Sequence, residues 1–373
     1  MSGNRVCSHI YIPEELIADI LKRLPAKSLL RFMSVCKFWY SLIKNPNFIS
    51  SHFNHHSTEG PKYLMYCVNY DEYRVYADTD SFVRHLEFTY PGMYLKVGCC
   101  NGIICFEKYR DHSIVLWNSF LRKSLKIKMP HCSDSNDENS VFWFGFDVAS
   151  NDYKVVWVGY TTNQVFETRS IGVYIYSLNE RAWRCVNSSF ELYDGQGYAI
   201  GYRGEYLNGV IYWVVFTYYD DRDMPELILT FNLADETFGT FHLPSEIVYV
   251  EQPFDENMCL EEYLRVPSLE DRVDLMIVKR GSENCLMALH EDLTRSNLWV
   301  LEEEGIVRSW RKDFYLSKGF IKKILNVRMN GGIVIQLETG DVVSWDQSCR
   351  RLIHMSSEKM DYVGAYMESL ILL

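Results

Sequence analysis

Two different patterns of apolar residues divide the chain. Between residues 12 and 45, apolar side chains recur at intervals of three and four, which predicts α-helices. From residue 61 onward, short runs rich in Tyr, Phe, Trp, Val and Ile alternate with turn residues, which predicts many β-strands. The sequence therefore predicts a small all-α segment at the N-terminus, followed by a large all-β domain.

The helical segment carries more apolar side chains than it can bury by itself. Pro13 suits a first helical turn, and Pro25 and Pro46 end the two predicted helices. The apolar positions are Leu16, Ile17, Ile20, Leu21 and Leu24 in the first helix, and Leu29, Leu30, Phe32, Met33, Val35, Cys36, Trp39, Leu42 and Ile43 in the second. About 45 residues are too few for a sufficient core. The surplus therefore indicates a surface that docks a partner protein.

The β region repeats one unit, an apolar strand, a polar turn and a second strand that opens on a large apolar residue. The unit occurs at residues 114–130, 172–186, 227–244, 297–314 and 341–355. In three copies the two apolar residues are seven apart, namely Tyr176 and Trp183, Phe231 and Phe238, and Trp345 and Leu352. Asn-Gly pairs at 101, 208 and 330 precede three copies and suit tight turns. The spacing of the units fits four-stranded propeller blades.

The two ends of the β region look like parts of one further blade. These are residues 63–76 and the terminal segment 365–373, AYMESLILL. Propellers often close by pairing the last strand with the first blade, which removes an exposed sheet edge. We therefore predict a six-bladed β-propeller closed by residues 365–373. A β-sandwich is the alternative architecture.

The helical segment resembles an F-box in residue identity and spacing, with the order I-P-x-x-L, I-L-x-x-L-P, V-C-x-x-W and P-x-F. The resemblance implies an F-box at residues 8–50, a linker at 51–61 and a substrate-recognition domain at 62–373. It also implies binding to the Skp-type adaptor of a cullin ubiquitin ligase, and through it to the cullin. The implied adaptor-binding residues are Ile12, Pro13, Leu16, Ile20, Leu21, Leu24, Pro25, Leu29, Val35, Cys36 and Trp39. Trp39 and Leu42 are alternatively residues that hold the helices together.

The β region resembles the F-box-associated domain of plant F-box proteins. NGIICF followed by LWNSFLRK resembles one recurring element of that family, with Ser119 in place of its usual proline, and FGFDVASNDYKVV resembles another. Within the family, LPAKSLLRF and the ending YMESLILL are most similar to the S-locus F-box group, the pollen-side determinants of RNase-based self-incompatibility. The resemblance implies a receptor without enzymatic activity whose substrate is a stylar S-RNase.

Charge is distributed unevenly along the chain. Residues 1–60 hold seven Lys/Arg and four Asp/Glu, whereas the remaining residues hold 31 Lys/Arg and 45 Asp/Glu, a net charge of −14. So acidic a chain is a poor candidate for nucleic-acid binding. The acidity indicates either solubility or a basic protein partner. By local charge density the candidate substrate contacts are Asp220, Asp221, Asp223, Glu261, Glu262, Glu302, Glu303 and Glu304.

Motifs for catalysis or metal binding are absent from the sequence. It contains no nucleophile elbow, P-loop or H-E-x-x-H, and His55 and His56 have no partners at metal-ligand spacing. We predict no catalytic residue, metal or cofactor. There is no membrane-spanning run or signal peptide, and the eleven scattered cysteines suit reduced thiols, so we expect the cytosol, with the nucleus as an alternative. Three other functions stay open: a receptor for another protein or glycoprotein, a receptor that reads sugars through exposed aromatic rings, and an enzyme on a propeller.

Overall fold

The computed structural model describes most of the chain. The described residues are 12–56, 62–67, 72–77, 84–89, 95–108, 113–130, 140–163, 168–186, 198–219, 222–247, 272–280, 283–291, 295–304, 307–317, 319–328, 330–346, 351–357, 360 and 362–371. Four of the predicted substrate contacts, Asp220, Asp221, Glu261 and Glu262, lie outside these ranges.

Four helices form the described N-terminal segment, where the sequence predicted two. They are α1 (Glu14–Lys22), α2 (Ala26–Phe32), α3 (Lys37–Lys44) and α4 (Pro46–His56). A turn at residues 33–35 separates α2 from α3, and there the Ser34 hydroxyl donates a hydrogen bond to the Arg31 carbonyl at 2.7 Å. Such local bonds compete with helix continuation. Pro46 begins α4 rather than only ending α3, since proline suits the first helical position. Residues 51–56 of the predicted linker are therefore helical.

The described strands form six four-stranded antiparallel sheets, the blades of a β-propeller. Blade 1 contains β1 (Lys62–Cys67), β2 (Glu72–Ala77) and β3 (Arg84–Thr89). Blade 2 contains β4 (Leu95–Cys100), β5 (Ile103–Lys108), β6 (Ser113–Asn118) and β7 (Lys123–Lys128). Blade 3 contains β8 (Val141–Asp147), β9 (Asp152–Asn163), β10 (Thr168–Ser177) and β11 (Ala182–Val186).

The second half of the ring repeats this arrangement. Blade 4 contains β12 (Tyr198–Leu207), β13 (Val210–Tyr219), β14 (Arg222–Asn232) and β15 (Thr237–His242). Blade 5 contains β16 (Arg272–Arg280), β17 (Glu283–Glu291), β18 (Arg295–Glu304) and β19 (Val307–Ser317). Blade 6 contains β20 (Ile321–Val327), β21 (Ile333–Leu337), β22 (Val342–Asp346) and β23 (Arg351–Ser356). A last strand, β24 (Tyr362–Tyr366), joins blade 1. The predicted all-α segment and six-bladed propeller are thus confirmed, and the β-sandwich is excluded.

The repeated unit of the sequence is the outer hairpin of a blade. Tyr176 lies directly opposite Trp183 in the β10–β11 pair, with their ring centroids 5.4 Å apart. Phe231 lies opposite Phe238 in the β14–β15 pair at 4.7 Å. Aromatic pairs that face each other across neighbouring strands stabilise the pairing and help to fix its register. The seven-residue spacing therefore encoded strand register.

Asn-Gly pairs make two of the tight turns. Asn101 and Gly102 have φ values of 48° and 77°, and Asn208 and Gly209 have 50° and 85°. Positive φ at both central residues of a two-residue hairpin is the geometry that Asn-Gly accommodates at least cost. These turns join the first and second strands of blades 2 and 4, and they confirm the two predicted tight turns at 101 and 208.

The ring closes through its C-terminal strand. In blade 1 the strand order is β24-β1-β2-β3, and Leu64 of β1 lies opposite Gly364 of β24. β24 takes the innermost place, beside β4 and β20 of the adjacent blades. The sequence placed this strand at 365–373, which is wrong by several residues. The strand ends at Tyr366, and residues 367–371 leave the sheet because their apolar side chains are buried elsewhere.

The core of the propeller lies between blades rather than within them. In the cluster between blades 3 and 4, the rings of Trp143 and Trp213 stack with centroids 4.1 Å apart. Gly204 makes room for this stack, because a Cβ atom there would lie 2.1 Å from Nε1 of Trp143. Such interlocking packing makes each blade depend on its neighbours.

The helices pack directly on the propeller. Leu370 is 5% exposed and lies in the same apolar cluster as Leu21 and Leu29. Phe120 and Leu121, in the turn between β6 and β7, pack against that cluster as well. The helical segment and the propeller therefore share one core.

Candidate partner-binding surfaces

An exposed apolar stripe runs along one side of α1. Leu16 and Ile20 are four residues apart on this helix and therefore lie on one side of it, and Ile12 comes directly before its N-cap, Pro13. Their side chains are 47% (Ile12), 53% (Leu16) and 55% (Ile20) exposed. We call these three residues the α1 stripe. Leaving so much apolar surface in water forgoes about 25 cal/mol for each Å² that a partner would cover.

Exposed apolar side chains are concentrated in the helical segment. Of the eight large hydrophobic residues that are exposed among the described residues, five belong to it. Besides the α1 stripe they are Val35, 60% exposed in the turn after α2, and Tyr40, 44% exposed on α3. A concentration of this kind marks a docking surface, whereas single exposed hydrophobic residues are ordinary. Tyr40 was not among the residues predicted to bind the adaptor, although it is next to Trp39 in the sequence.

Several residues predicted to bind the adaptor lie inside the helical core instead. Leu21 is 1% exposed and Leu29 is fully buried, so neither presents a side chain to a partner. Leu24 and Trp39 are half-buried against the same core, and the Trp39 ring meets that of Phe32 edge-on at 5.3 Å. These side chains hold the helices together, which the sequence analysis had kept open for Trp39.

Three other predicted contacts are helix caps. The Pro13 carbonyl accepts hydrogen bonds from the backbone N–H of Leu16 and Ile17, both at 3.1 Å. The Pro25 carbonyl accepts one from Ser28 at 2.8 Å, and the Cys36 sulfur accepts one from the Trp39 N–H at 3.4 Å. All three caps are exposed. They fix where the helices begin and hence where the α1 stripe and Val35 lie.

Helix α4, which was not predicted from the sequence, supports the end of α1. Nε2 of His52 donates a hydrogen bond to the Leu24 carbonyl at 2.9 Å, and Nε2 of His56 donates one to the Lys22 carbonyl at 3.1 Å. The two rings lie 4.3 Å apart. Histidine side chains can satisfy the last carbonyls of a helix in this way. The histidines thus hold the end of α1 in place.

The propeller has two faces, and the helices occupy one of them. Because neighbouring strands are antiparallel, successive connections within a blade emerge on alternate faces. The β4–β5 and β6–β7 turns, the start of β1 and the end of β24 share one face, on which the helices pack. We call it the helix face. The end of β13, the start of β14 and the strand ends at which one blade leads into the next lie at the opposite face, here called the free face.

The described acidic candidates do not share a face. Asp223 is at the beginning of β14, at the free face. Glu302 and Glu303 lie near the end of β18, at the helix face. Glu303 pairs with Nε of Arg308 at 2.8 Å, and Glu302 pairs with Arg311. Exposed pairs of this kind contribute little stability, but they do neutralise the charge locally. For Asp223 and Glu304, only the backbone lies within the described structure.

An aromatic groove lies between blades 4 and 5. It encloses about 640 Å³, and Phe241, Trp299 and Trp310 line it together with Glu246 and Ser309. The Phe241 and Trp310 rings stack with centroids 6.3 Å apart, and Nε1 of Trp310 donates a hydrogen bond to the His242 carbonyl at 2.9 Å. Aromatic faces beside polar side chains can bind a ligand that is apolar on one side.

Two further features bear on the kind of site this protein carries. Within the described ranges, no three His, Cys, Asp or Glu side chains are grouped so that they could hold a metal ion. None of the described helices is both long enough and apolar enough to cross a membrane.

Two family models match the chain, and they divide it where the structure does. The F-box domain matches residues 11–51, which carry the α1 stripe, and the F-box associated beta propeller domain matches residues 63–367. The chain belongs to the F-box-associated β-propeller family. Relatives of this F-box protein occur in Arabidopsis thaliana. An F-box/kelch-repeat protein is 26% identical over 88% of this chain and 85% of its own length. An F-box protein is 24% identical over 90% of this chain and 85% of its own.

Among solved structures, the fold of this F-box protein is similar to a chain of a nidogen/laminin complex, with a TM-score of 0.41 and 11% identity over 83% of this chain and all of the other. So distant a likeness carries no functional information.

The sequence elements that resemble the family have structural roles in this F-box protein. Asn118 and Ser119 of the LWNSFLRK element hold the C-terminal residues, with hydrogen bonds from Asn118 to the Ser369 carbonyl (2.9 Å) and between Ser119 and the Tyr366 hydroxyl (2.7 Å). Lys154 of the FGFDVASNDYKVV element pairs with Asp147 at 2.8 Å within blade 3. These residues hold the ring together, so the two sequence elements reflect the architecture of the propeller.

Proposed function

We propose that this protein is the substrate-recognition subunit of an SCF-type cullin ubiquitin ligase. An F-box domain implies binding to a Skp-type adaptor, and the α1 stripe is the observation that carries the proposal. Its three side chains, with Val35, form the apolar contact to the adaptor. The adaptor in turn links the chain to the cullin.

In this role the protein supplies proximity and no reactive group. The transfer of ubiquitin belongs to other subunits, and a receptor accelerates it by holding an acceptor lysine near the transfer site. No enzymatic activity of its own is needed. The cytosol stays the predicted location.

The substrate surface we propose is the free face of the propeller. The described helices pack on the other face, and none of them covers the free face. Phe320, in the connection between β19 and β20, belongs to the free face and is 85% exposed. Large aromatic side chains are frequent anchors at the centre of protein interfaces. Phe320 could not be predicted from the sequence, because an exposed Phe and a buried Phe are distinguished only by the fold.

The substrate class we propose is a basic secreted-type RNase, specifically an S-RNase. Two observations support it, the resemblance of LPAKSLLRF and YMESLILL to the S-locus group and the net charge of −14 beyond residue 60. An RNase binds phosphates through a cationic surface. Opposite charge on the receptor speeds encounter and helps to set specificity.

A receptor for a glycoprotein or a sugar is the second candidate. The groove between blades 4 and 5 favours it, since Trp310 and Phe241 lie beside Glu246 and Ser309 there. Binding to a glycan array that is lost on Trp310→Ala would support this candidate over the RNase.

Reconstitution of the ligase tests the proposed function. The full chain would be combined with purified Skp-type adaptor, cullin, RING subunit and ubiquitin enzymes, and a panel of S-RNases would be offered as substrates. We expect some RNases and not others to be ubiquitinated, and none by the Leu16→Glu, Ile20→Glu variant. If the adaptor co-elutes but no RNase is modified, the substrate class is wrong and the receptor role stands. If the adaptor does not co-elute with the chain, the receptor role is wrong.

A further inference from the structure

The chain beyond β24 is held firmly although it has no regular secondary structure. The Asn118 side chain is fully buried, and its Nδ2 donates to the carbonyls of Ser369 at 2.9 Å and Ile371 at 3.0 Å. Its Oδ1 accepts a hydrogen bond from the Leu121 N–H at 3.0 Å. One buried amide thus joins residues 367–371, here called the C-terminal strap, to the β6–β7 turn of blade 2.

The strap also lies against the β4–β5 turn. A Cβ atom at Gly102 would be 2.3 Å from the Met367 carbonyl oxygen and 2.7 Å from Cβ of Ser369. Only glycine leaves room for so close an approach. In addition, Glu368 pairs with Nζ of Lys62 at 3.0 Å, at the start of β1. Blades 1 and 2 therefore hold the strap at several points.

Adjacent side chains of the strap serve different parts of the protein. Leu370 inserts into the helical core and is 5% exposed, whereas Ile371 packs against the apolar cluster between blades 2 and 3. The strap therefore contacts the F-box helices on one side and the propeller on the other. About 45 residues of helix cannot bury a sufficient core alone. Leu370, with Phe120 and Leu121, supplies the missing side chains.

We propose that Leu370 is a positioning residue that fixes the F-box on the propeller in one orientation. The helices then keep one orientation relative to the propeller. A bound adaptor is therefore held at a constant angle to the free face. One consequence is that a substrate is presented at a fixed place in the ligase, and this consequence rests on the proposed function. The fixed orientation itself does not depend on any ligase. It also gives the YMESLILL ending a role that ring closure alone does not explain.

Distance measurement between the two parts of the full chain tests this. Labels on non-natural amino acids at the exposed positions Lys27 and Glu338 would report the distance between the helices and blade 6. We expect one narrow distance distribution for the native chain and for Leu370→Met, which conserves volume. For Leu370→Ala, which leaves a cavity, we expect the narrow peak to be lost. The melting temperature of Leu370→Ala should fall, because the helices and the propeller share this core, but its helical circular dichroism at the temperature of the distance measurement should equal that of the native chain.

The outcomes separate orientation from general damage. An equally narrow distribution in Leu370→Ala overturns the proposal. A broad distribution in Leu370→Met as well also overturns it, since volume at this position would then not set the orientation. If Leu370→Ala is insoluble, Leu370→Val removes less volume, and a distribution as narrow as that of the native chain contradicts the proposal. None of these measurements needs adaptor or substrate, so the proposed function and the fixed orientation fail independently.

Discussion

Lys154 of blade 3 reaches across to Glu236 of blade 4, with 3.1 Å between Nζ and Oε1. The same ammonium lies 2.8 Å from Oδ2 of Asp147 and 2.7 Å from the Leu233 carbonyl. Lys154 is only 5% exposed, so its charge is balanced by these partners rather than by water. Glu236 also pairs with Arg184 of β11. This network joins the two blades at the turn between β14 and β15.

The first prediction concerns that network. Replacing Lys154 with Met should lower the free energy of unfolding by about 3 kcal/mol, because Asp147 loses the ammonium that balances it and Glu236 keeps only its pair with Arg184. Chemical denaturation followed by tryptophan fluorescence would measure it. Lys322→Met is the matched control, since Lys322 is exposed on β20 and its loss should change stability by less than about 0.5 kcal/mol. Equal stability of the two variants would show that the network does not hold the blades.

The second prediction is the pH dependence of that difference. Burial raises the pKa of Asp147, but hydrogen bonds from Lys154 and Ser150 outweigh it, so the pKa lies below its ordinary value. The pKa of Glu236 is likewise lowered, with hydrogen bonds from Arg184 and Lys154 outweighing burial. Carboxyl groups with lowered pKa values in the folded state stabilise it above their ordinary range, near pH 4, and this contribution is lost as pH falls through the lowered values.

Lys154→Met should therefore differ most from the native chain near neutral pH, and the difference should shrink as the pH falls below about 4. Melting temperatures of both proteins across this range would measure it. A difference that does not change with pH would mean that packing, and not charge, accounts for the effect.

The third prediction concerns ring closure. Deleting residues 362–373 removes β24 and leaves the edge of β1 unpaired, so we expect aggregation or loss of soluble protein. Size-exclusion chromatography with light scattering would detect it. Deleting only residues 367–373 is the control, because β24 stays and the propeller should keep its cooperative unfolding. A monomeric 362–373 deletion with unchanged thermal stability would rule out β24 as the closing strand.

How far the sequence predicted the structure depended on the distance between interacting residues. Tyr176 and Trp183 pair within one hairpin, so their spacing alone predicted the blade repeat. Leu370 and Leu29 are far apart in the chain, and no local sequence pattern predicts that they share a core. For the same reason the alternation in AYMESLILL was mistaken for the closing strand.

The sequence predicted which helices carry the candidate site, but not which of their side chains are exposed to a partner. The spacing of Leu16 and Leu21 predicted that both belong to the apolar side of a helix. Which of the two side chains is buried depends on the helices that pack beside α1. The acidic run at Glu303 looked like a charged patch because its partner was ignored. Hairpin register places Glu303 opposite Arg308, and that pairing could have been read from the sequence.

The fourth prediction concerns the charge of the acidic residues between β13 and β14 and at the start of β14. Association of the chain with an RNase that it binds should slow as salt rises past about 0.15 M, where the screening length is about 8 Å. At low salt, the variant with Asn in place of Asp220, Asp221 and Asp223 should associate more slowly than the native chain. Glu302→Gln with Glu303→Gln is the control, because it also removes two negative charges, but at the helix face, so it should slow association less.

Stopped-flow kinetics at several salt concentrations would decide the electrostatic account. Binding that is selective but indifferent to salt would remove it and keep the receptor role. Slowing by the Glu302 and Glu303 changes alone would place the substrate on the helix face instead.

The fifth prediction tests the central claim, that the α1 stripe docks a Skp-type adaptor. Calorimetry would give the Kd of the purified adaptor for the native chain, for Leu16→Glu with Ile20→Glu, and for Leu352→Glu. Leu352 is the control, since it is 61% exposed and lies on β23, outside the helical segment. Apolar residues central to an interface commonly contribute about 2 kcal/mol or more each. We therefore expect the double variant to bind about a thousandfold more weakly. Leu352→Glu should bind like the native chain, and the double variant should keep its folded circular dichroism spectrum. A folded double variant with native affinity would contradict the claim.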